Sequence, residues 1–223
     1  MLVNNAGILI SGTFLDHDAS DWERIVAINV LGVVHGCRVF GRQMVDHGQG
    51  GQIVNIASAA AFIPMRSAPA YATTKAAVRM LSECLRIELA GKGIGATAIC
   101  PTVIKTNIAR HGAVAGVDEQ EAARLVELSA RLQDRYSWTS PDKVARAVAR
   151  SVARNWAIVP VDPDAWLLYG LHRVSPALMR GFARAGSFEL MLSGAERLIP
   201  RELERHRGRI TRSIVGSFSP FGT

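Results

Sequence analysis

The sequence has few cysteines and lacks any recognisable metal-binding pattern. Its cysteines are Cys37, Cys84 and Cys100, and an odd number of widely spaced thiols does not suit a disulfide framework. Free thiols fit a reducing, cytoplasmic compartment. The six histidines are dispersed, with no His-x-x-x-His and no Cys-x-x-Cys spacing. We therefore expect no protein metal site.

The sequence also lacks a visible signal peptide and an uninterrupted apolar run of the length that crosses a bilayer. Its 26 basic and 19 acidic residues give a net charge of +7, but the basic residues are scattered and no basic strand is interleaved with aromatic residues. A solvated surface is therefore favoured over nucleic-acid binding. With 223 residues and 48% hydrophobic residues, the chain can bury one substantial core.

Residues 52–75 predict a strand, a loop and the start of a helix in succession. The β-branched run at 52–57 follows two glycines and predicts a buried strand. Ser58 comes where that strand ends, which is the usual location of chemistry in an open α/β sheet. Pro69 predicts a helix start, with Ser67 as its N-terminal cap.

Tyr71 and Lys75 share one face of this predicted helix because they lie four residues apart. Tyrosine normally titrates near pH ~10, and an adjacent ammonium ion favours the phenolate. We therefore expect a lowered pKa for Tyr71, which would let the phenol exchange a proton at neutral pH. Ser58 could hold a substrate oxygen beside the phenol. Taken alone, a Tyr-x-x-x-Lys pair is more often a solvated helix face.

Asn29 lies on the apolar stripe of another predicted helix, at residues 21–44. Ser20 and Glu23 form the pattern of a capping box at its start. A polar amide on a buried face must find hydrogen-bond partners. Considered alone, Asn29 is best read as a core residue satisfied by backbone groups.

Four motifs together resemble the short-chain dehydrogenase/reductase family in order and spacing, from Leu2 to about Val161. They are NNAG at residues 4–7, Asn29, Ser58, and Tyr71 with Lys75. The resemblance implies an α/β fold with a Rossmann-like, doubly wound parallel sheet. It also implies an NAD- or NADP-dependent oxidoreductase that interconverts an alcohol with a ketone or aldehyde.

The resemblance assigns a role to each candidate catalytic residue. Tyr71 would be the general acid and base, and Ser58 would orient the substrate oxygen. Lys75 would lower the pKa of Tyr71 and bind the nicotinamide ribose. Asn29 would hold a water molecule that links Lys75 to solvent.

The same resemblance implies two groups of cofactor-binding residues besides Tyr71 and Lys75. In the NNAG motif, Asn5, Ala6 and Gly7 would line the ribose side of the cofactor, and Asn4 would tie neighbouring strands together. The motif is also a typical turn on composition alone.

The second group lies in the PTVIKT segment at residues 101–106, which resembles the family loop that contacts the nicotinamide and phosphates. Here Pro101, Ile104 and Thr106 keep the pattern. Thr102 replaces the usual glycine, which restricts the backbone at that position. A simple turn at the end of a strand is the alternative.

By the resemblance, the first residues correspond to the end of the family's fourth strand. No glycine-rich fingerprint in a strand–turn–helix context occurs elsewhere in the chain, so we expect the first βαβαβ half to be lacking. That half would also hold the residue that separates NAD from NADP. We therefore expect that Met1 is a misassigned start and that the frame extends upstream by roughly 70–90 residues.

We divide the chain into a catalytic domain at 1–162 and a helical extension at 163–223 that ends in a mobile tail after Pro200. Residues 164–184 alternate apolar residues with arginines. We favour a cover for the substrate pocket or a subunit interface over a membrane-surface role, because Gly170 and Pro176 interrupt an amphipathic helix.

The long helices predicted at 21–44 and 70–90 are apolar on more than one side. By the resemblance they pair in a homodimer or homotetramer, and the alternative is burial against their own sheet. The alternative function is a catalytically impaired remnant that acts as an oligomeric scaffold or binding protein.

Overall fold

The computed structural model describes residues 1–137 and 139–184, with only the backbone described at position 136. The strands in this part of the chain are β1 Leu2–Asn4, β2 Ile10–Ser11, β3 Gly51–Ile56, β4 Ile94–Cys100, β5 Ala113–Val114 and β6 Ile158–Pro160. The α-helices are α1 Ala19–Val26, α2 Gly32–His47, α3 Pro69–Leu89, α4 Glu119–Tyr136, α5 Pro141–Arg154, α6 Pro163–Val174 and α7 Pro176–Arg184.

The main sheet is parallel, with the strand order β1-β3-β4-β6. Helices α2, α3 and α6 pack on one face, around a core that includes Ile53 and Val78. Helix α5 packs on the other face against Val54 and Ile99. Helices on both faces of a parallel sheet define a doubly wound α/β fold, which confirms the predicted fold class. A separate parallel pair, β2 with β5, lies outside this sheet.

Two predicted helix caps are wrong. Helix α1 begins at Ala19, and its cap is Asp18, whose carboxylate accepts a hydrogen bond from Asp21 N. Ser20 donates to Asp18 instead of capping, so the predicted Ser20–Glu23 box does not form. Asp and Ser are comparably good caps, and the chain uses the one further upstream.

The other wrong cap is Ser67. The cap position of α3 is Ala68, which makes no side-chain hydrogen bond to the helix. The Ser67 carbonyl instead accepts a hydrogen bond from Gly12 N at 2.8 Å. This contact ties the segment before α3 to the end of β2.

One stretch is longer and more apolar than the sequence analysis expected. Ala19–His47 forms a continuous helix that, by length and composition, could cross a membrane. The sequence contains no uninterrupted apolar run of that length, but a mean hydropathy over the helix is a less strict criterion. A core helix of an α/β domain passes the same test. Here Val33, Cys37 and Met44 on one side of the helix are buried in the core beside the sheet.

Helix α6 packs into the same core as the sheet. Ala165 is fully buried there, and Leu168 and Tyr169 pack against it. Residues 1–185 form one compact unit. The predicted division of roles at residue 162 stays a prediction, and the predicted mobile tail after Pro200 lies outside the described residues.

Candidate active site

Ser58 and Tyr71 meet at the carboxyl end of β3. Ser58 begins the tight turn Ala59–Ala61, where its hydroxyl accepts a hydrogen bond from Ala60 N at 3.1 Å. Tyr71 lies in the first turn of α3, and its hydroxyl forms a hydrogen bond with Ser58. Because both side chains begin at the edge where parallel strands end, two hydroxyl groups are held together at the usual position for chemistry.

Lys75 lies one turn further along α3 and is buried. Its ammonium group donates to Ile56 O at 3.0 Å and lies 5.6 Å from the centre of the Tyr71 ring. Burial lowers the pKa of Lys75 to about 8, a shift that the nearby Cys100 opposes. Lys75 is therefore mostly charged at neutral pH but unusually ready to lose its proton.

The expected lowering of the pKa of Tyr71 is wrong for this structure. Burial raises the pKa of Tyr71, and the hydrogen bond with Ser58 offsets only part of that effect. The physical reason is that removing water disfavours the phenolate. The ammonium of Lys75, which was expected to stabilise the phenolate, is bonded to the Ile56 carbonyl.

Asn29 is buried in a π-helical turn, Ala27–Leu31, that joins α1 to α2. Its Oδ1 accepts a hydrogen bond from Ile8 N at 2.8 Å, and its Nδ2 donates to Ile8 O at 3.0 Å and to Thr74 Oγ1 at 3.1 Å. Thr74 in turn donates to Tyr71 O. Asn29 therefore joins the segment after the NNAG motif to the helix that holds Tyr71. Single π-turns of this kind are common at functional sites.

Gly7 brings the NNAG motif close to this group of side chains. A Cβ atom at Gly7 would lie 3.2 Å from Asn29 Oδ1 and 3.4 Å from Lys75 Nζ. The missing side chain lets the backbone pass close to both polar groups. The neighbouring Asn5 and Ala6 are exposed, so they lie at the surface where the motif leaves β1.

Asn4 connects strands, as the resemblance implied. Its Nδ2 donates to Asn55 Oδ1 at 2.7 Å, and Asn55 Nδ2 donates to Ser82 Oγ at 2.9 Å. This buried chain of polar groups joins β1, β3 and α3. Asn55 and Ser82 were not predicted as site residues, although a polar residue such as Asn55 within a buried β-branched strand indicates a buried partner.

The 101–106 loop starts against Ser58 and then follows α4. Pro101 O accepts hydrogen bonds from Ala59 N at 2.8 Å and from Ser58 Oγ at 3.5 Å. The side chain of Gln133 on α4 donates to Ile104 O and, at 3.3 Å, to Thr106 Oγ1. Of the predicted loop residues, Pro101 thus lies at the buried end beside Ser58, and Ile104 and Thr106 lie at the end that is hydrogen-bonded to α4.

Asp162 is a buried residue that no sequence pattern predicted as part of the site. Its carboxylate accepts hydrogen bonds from Thr102 Oγ1 at 3.2 Å, from Thr139 Oγ1 at 2.5 Å and from Lys143 Nζ at 2.7 Å. Burial alone would raise the pKa of Asp162, but these hydrogen bonds and the charge of Lys143 outweigh it and lower the pKa. Thr102, which stands where the family pattern has glycine, therefore ties the loop to this carboxylate.

Comparisons with known proteins give the family and the fold that this chain resembles. A family model described as short chain dehydrogenase matches residues 1–114. The chain is similar to the protein named "Probable oxidoreductase EphD" of Mycobacterium tuberculosis, with 46% identity over 82% of this chain and 31% of that protein. The chain therefore spans less than a third of the length of this curated relative.

Solved structures show the same fold. A short-chain dehydrogenase/reductase from Burkholderia phymatum in complex with NAD aligns with a TM-score of 0.67 and 27% identity, covering 80% of this chain and 67% of that chain. A short-chain dehydrogenase from Sphingobium yanoikuyae in complex with NADPH aligns with a TM-score of 0.60 and 27% identity, covering 80% and 64%.

Proposed function

Because the chain belongs to the short chain dehydrogenase family, we propose that it is an oxidoreductase that interconverts an alcohol with a ketone or aldehyde, using NAD or NADP. One observation carries the proposal. The hydroxyls of Ser58 and Tyr71 are hydrogen-bonded to each other, with the buried ammonium of Lys75 one helical turn behind them.

The residues around Lys75 fit a nicotinamide cofactor. The ammonium group has three donors and uses one on Ile56 O, which leaves hydrogen-bonding capacity for a ribose hydroxyl. Gly7 has no side chain to block the approach to Lys75. In this proposal Asn5, Ala6 and Gly7 hold the ribose side, together with Tyr71 and Lys75. The loop residues Pro101, Ile104 and Thr106 hold the nicotinamide side. The bound cofactor supplies hydride transfer.

The protein's own contribution is proton transfer at Tyr71 Oη. In carbonyl reduction, Tyr71 gives its proton to the substrate oxygen, and Ser58 Oγ donates a hydrogen bond to the same oxygen. The raised pKa of Tyr71 keeps the phenol protonated at neutral pH, which is the form that reduction requires. Asn29 would support resupply of the proton through water.

We also propose that the chain forms a homodimer or homotetramer through α2 and α3. Both helices expose large apolar side chains, namely Val39, Phe40, Met80 and Ile87. Exposed apolar side chains on these two helices support the proposal, because large apolar surface patches mark interaction sites. In this proposal the substrate is a small-molecule alcohol or carbonyl compound.

Titration of the chain with NADH and with NADPH, followed by nicotinamide fluorescence, tests cofactor binding. Assay of reducible carbonyl compounds tests turnover separately. The proposal expects binding of at least one cofactor and turnover that Tyr71→Phe abolishes. Cofactor binding with turnover unchanged in Tyr71→Phe would contradict the assigned chemistry. Binding without turnover of any carbonyl would favour the impaired binding protein.

A further inference from the structure

Helix α6 is apolar on two opposite faces, and only one of them is covered by residues that the structure describes. Ala165, Leu168 and Tyr169 point into the core, where the Tyr169 ring lies 5.1 Å from that of Phe62. On the outer face, Trp166 is 54% exposed, Leu167 68% and Val174 81%. The outer face of α6 is therefore uncovered in the described part of the chain. The role predicted for this segment, a pocket cover or a subunit interface, stays a prediction.

Helix α7 packs against α6 and also exposes large apolar side chains. It is anchored by the buried Met179, while Leu178 is 61% exposed and Phe182 37% exposed. We call the exposed set of large apolar side chains on these two helices the α6–α7 surface; it consists of Trp166, Leu167, Val174, Leu178 and Phe182. Pro176 and Gly170 interrupt the amphipathic pattern of the sequence, but both are compatible with two short helices. Pro176 begins α7, and Gly170 is exposed.

Beyond Asp164 in the first turn of α6, all formal charges on these two helices are positive. Residues 165–184 contain Arg173, Arg180 and Arg184 and no Asp or Glu, although the chain has 19 acidic residues. All three arginines are exposed. Arg173 also donates to Tyr169 Oη at 3.2 Å and lies over the Tyr169 ring, which holds its guanidinium group at the margin of the apolar surface.

We propose that the α6–α7 surface binds the surface of an anionic lipid bilayer. A helix that lies in a membrane interface presents Trp, Phe and Leu to the acyl boundary and basic residues to the headgroups. Each arginine near an anionic leaflet adds electrostatic attraction. The apolar side chains and the arginines of α6 and α7 supply both parts of this arrangement. The proposal does not depend on the catalytic function.

A second copy of the chain fits the same surface poorly. A twofold contact places the same patch on both partners, and it would bring Arg173, Arg180 and Arg184 of each copy together. The segment 165–184 has no carboxylate to pair with them. Like charges facing each other across an interface oppose association, whereas anionic lipid headgroups neutralise them.

Vesicle co-sedimentation of the full chain tests the proposal. Vesicles of phosphatidylcholine alone are compared with equimolar phosphatidylcholine and phosphatidylglycerol, at low and high salt. We expect binding to the anionic vesicles, at least a tenfold weaker affinity for the neutral ones, and weakening by salt. Failure to bind anionic vesicles, or equal binding to both compositions, would overturn the proposal.

Two variants with matched controls locate the binding surface. Replacing Arg173, Arg180 and Arg184 with Gln should abolish vesicle binding, whereas replacing the exposed Arg42, Arg146 and Arg150 with Gln removes the same charge elsewhere and should leave most of the binding.

Leu167→Glu should likewise abolish binding, and Leu15→Glu, at another exposed leucine, should not. Circular dichroism confirms that each variant is folded. Equal losses in the variants and their controls would overturn the proposal. So would a fall in oligomeric state on Leu167→Glu without a change in vesicle binding, because it would identify the surface as a contact between copies.

Discussion

Asn29 and Ile8 are joined by two hydrogen bonds, one from Ile8 N to Asn29 Oδ1 and one from Asn29 Nδ2 to Ile8 O. The side-chain amide of Asn29 thus pairs with both the N–H and the C=O of Ile8, as the backbone of a neighbouring β-strand would. Because Asn29 is almost completely buried, no water can replace these bonds without a rearrangement. The pairing fixes the segment after the NNAG motif relative to the helix of Asn29.

Asn29→Leu should therefore destabilise the protein. It leaves the N–H and C=O of Ile8 and the hydroxyl of Thr74 without this partner, and each buried unsatisfied group costs about 1–3 kcal/mol. We expect a loss of roughly 2–4 kcal/mol in the free energy of unfolding by urea. Gln43→Leu, which removes an exposed amide from the next helix, should change it by less than about 0.5 kcal/mol. An unchanged stability for Asn29→Leu would refute this account.

Tyr71→Phe should lower turnover by about 10²–10⁴-fold, the usual contribution of a general acid or base. Its stability should change little, because the hydroxyl and its demand for a hydrogen bond are removed together. Tyr169→Phe removes the other described tyrosine hydroxyl, which accepts a hydrogen bond from Arg173, and should keep activity. Steady-state kinetics with any accepted carbonyl decides the matter, and similar rates for the two variants would exclude Tyr71 as the proton donor.

Lys75→Met should abolish activity and yet raise stability at pH 7. The native pKa of Lys75 is about 8 and the ordinary value is 10.5, so folding disfavours the ammonium form. This destabilisation is fully present below pH 8 and disappears as the pH rises from about 8 to 10.5. It amounts to at most ~3 kcal/mol, reduced by the lost hydrogen bond to Ile56.

The measurement for Lys75 is the difference in melting temperature between Lys75→Met and the parent protein as a function of pH. The difference should be largest near neutral pH and should fall as pH rises above 8. A difference that stays constant between pH 7 and pH 10 would show that burial does not disfavour the charge. Loss of activity alone does not show whether burial disfavours the charge, because the ammonium is needed for catalysis in either case.

Asp162→Asn should raise the KM for the nicotinamide cofactor more than it lowers kcat. The carboxylate accepts from Thr102, Thr139 and Lys143, and it thereby holds the start of the 102–106 loop. The neutral amide leaves Lys143 without its charged partner. Asp142→Asn, at an exposed position in the first turn of α5, is the control and should leave both constants unchanged.

The same carboxylate should make stability sensitive to acid. The lowered pKa of Asp162 means that its contribution is present above the ordinary value of 3.8 and is lost as the pH falls through the lower native value. The parent protein should therefore lose more stability on acidification than Asp162→Asn does. Parallel acid-unfolding curves for the two proteins would contradict this role.

Local features were predictable where one short segment determines them. Ser140 followed by Pro141 predicts a helix start from two adjacent residues, and α5 indeed spans Pro141–Arg154 with Ser140 as its cap. The juxtaposition of Ser58 and Tyr71 was also predictable, because it requires only one strand, one turn and one helix.

Features that depend on distant partners were not predictable. Thr102 and Asp162 are 60 residues apart, and no local pattern indicates that they meet. The predicted direction of the pKa shift of Tyr71 was wrong for the same reason. Burial of the phenol depends on packing against residues of other segments, such as Ile10 and Ala115, whereas the charge of Lys75 was visible in the sequence.

The contact between Asn4 and Asn55 has a consequence for the alignment of the active site. β1 pairs with β3 over only three residue pairs, and the last of them is Asn4 with Asn55. Displacing β1 by one residue would turn the Asn4 side chain to the other face and would shift Gly7 by about 3.3 Å along the strand direction. A single inserted residue before Asn4 could be absorbed at the start of the strand, because the amide contact would keep its register. An insertion between Asn4 and Gly7 would instead misalign the motif with Lys75 while leaving every proposed catalytic side chain intact.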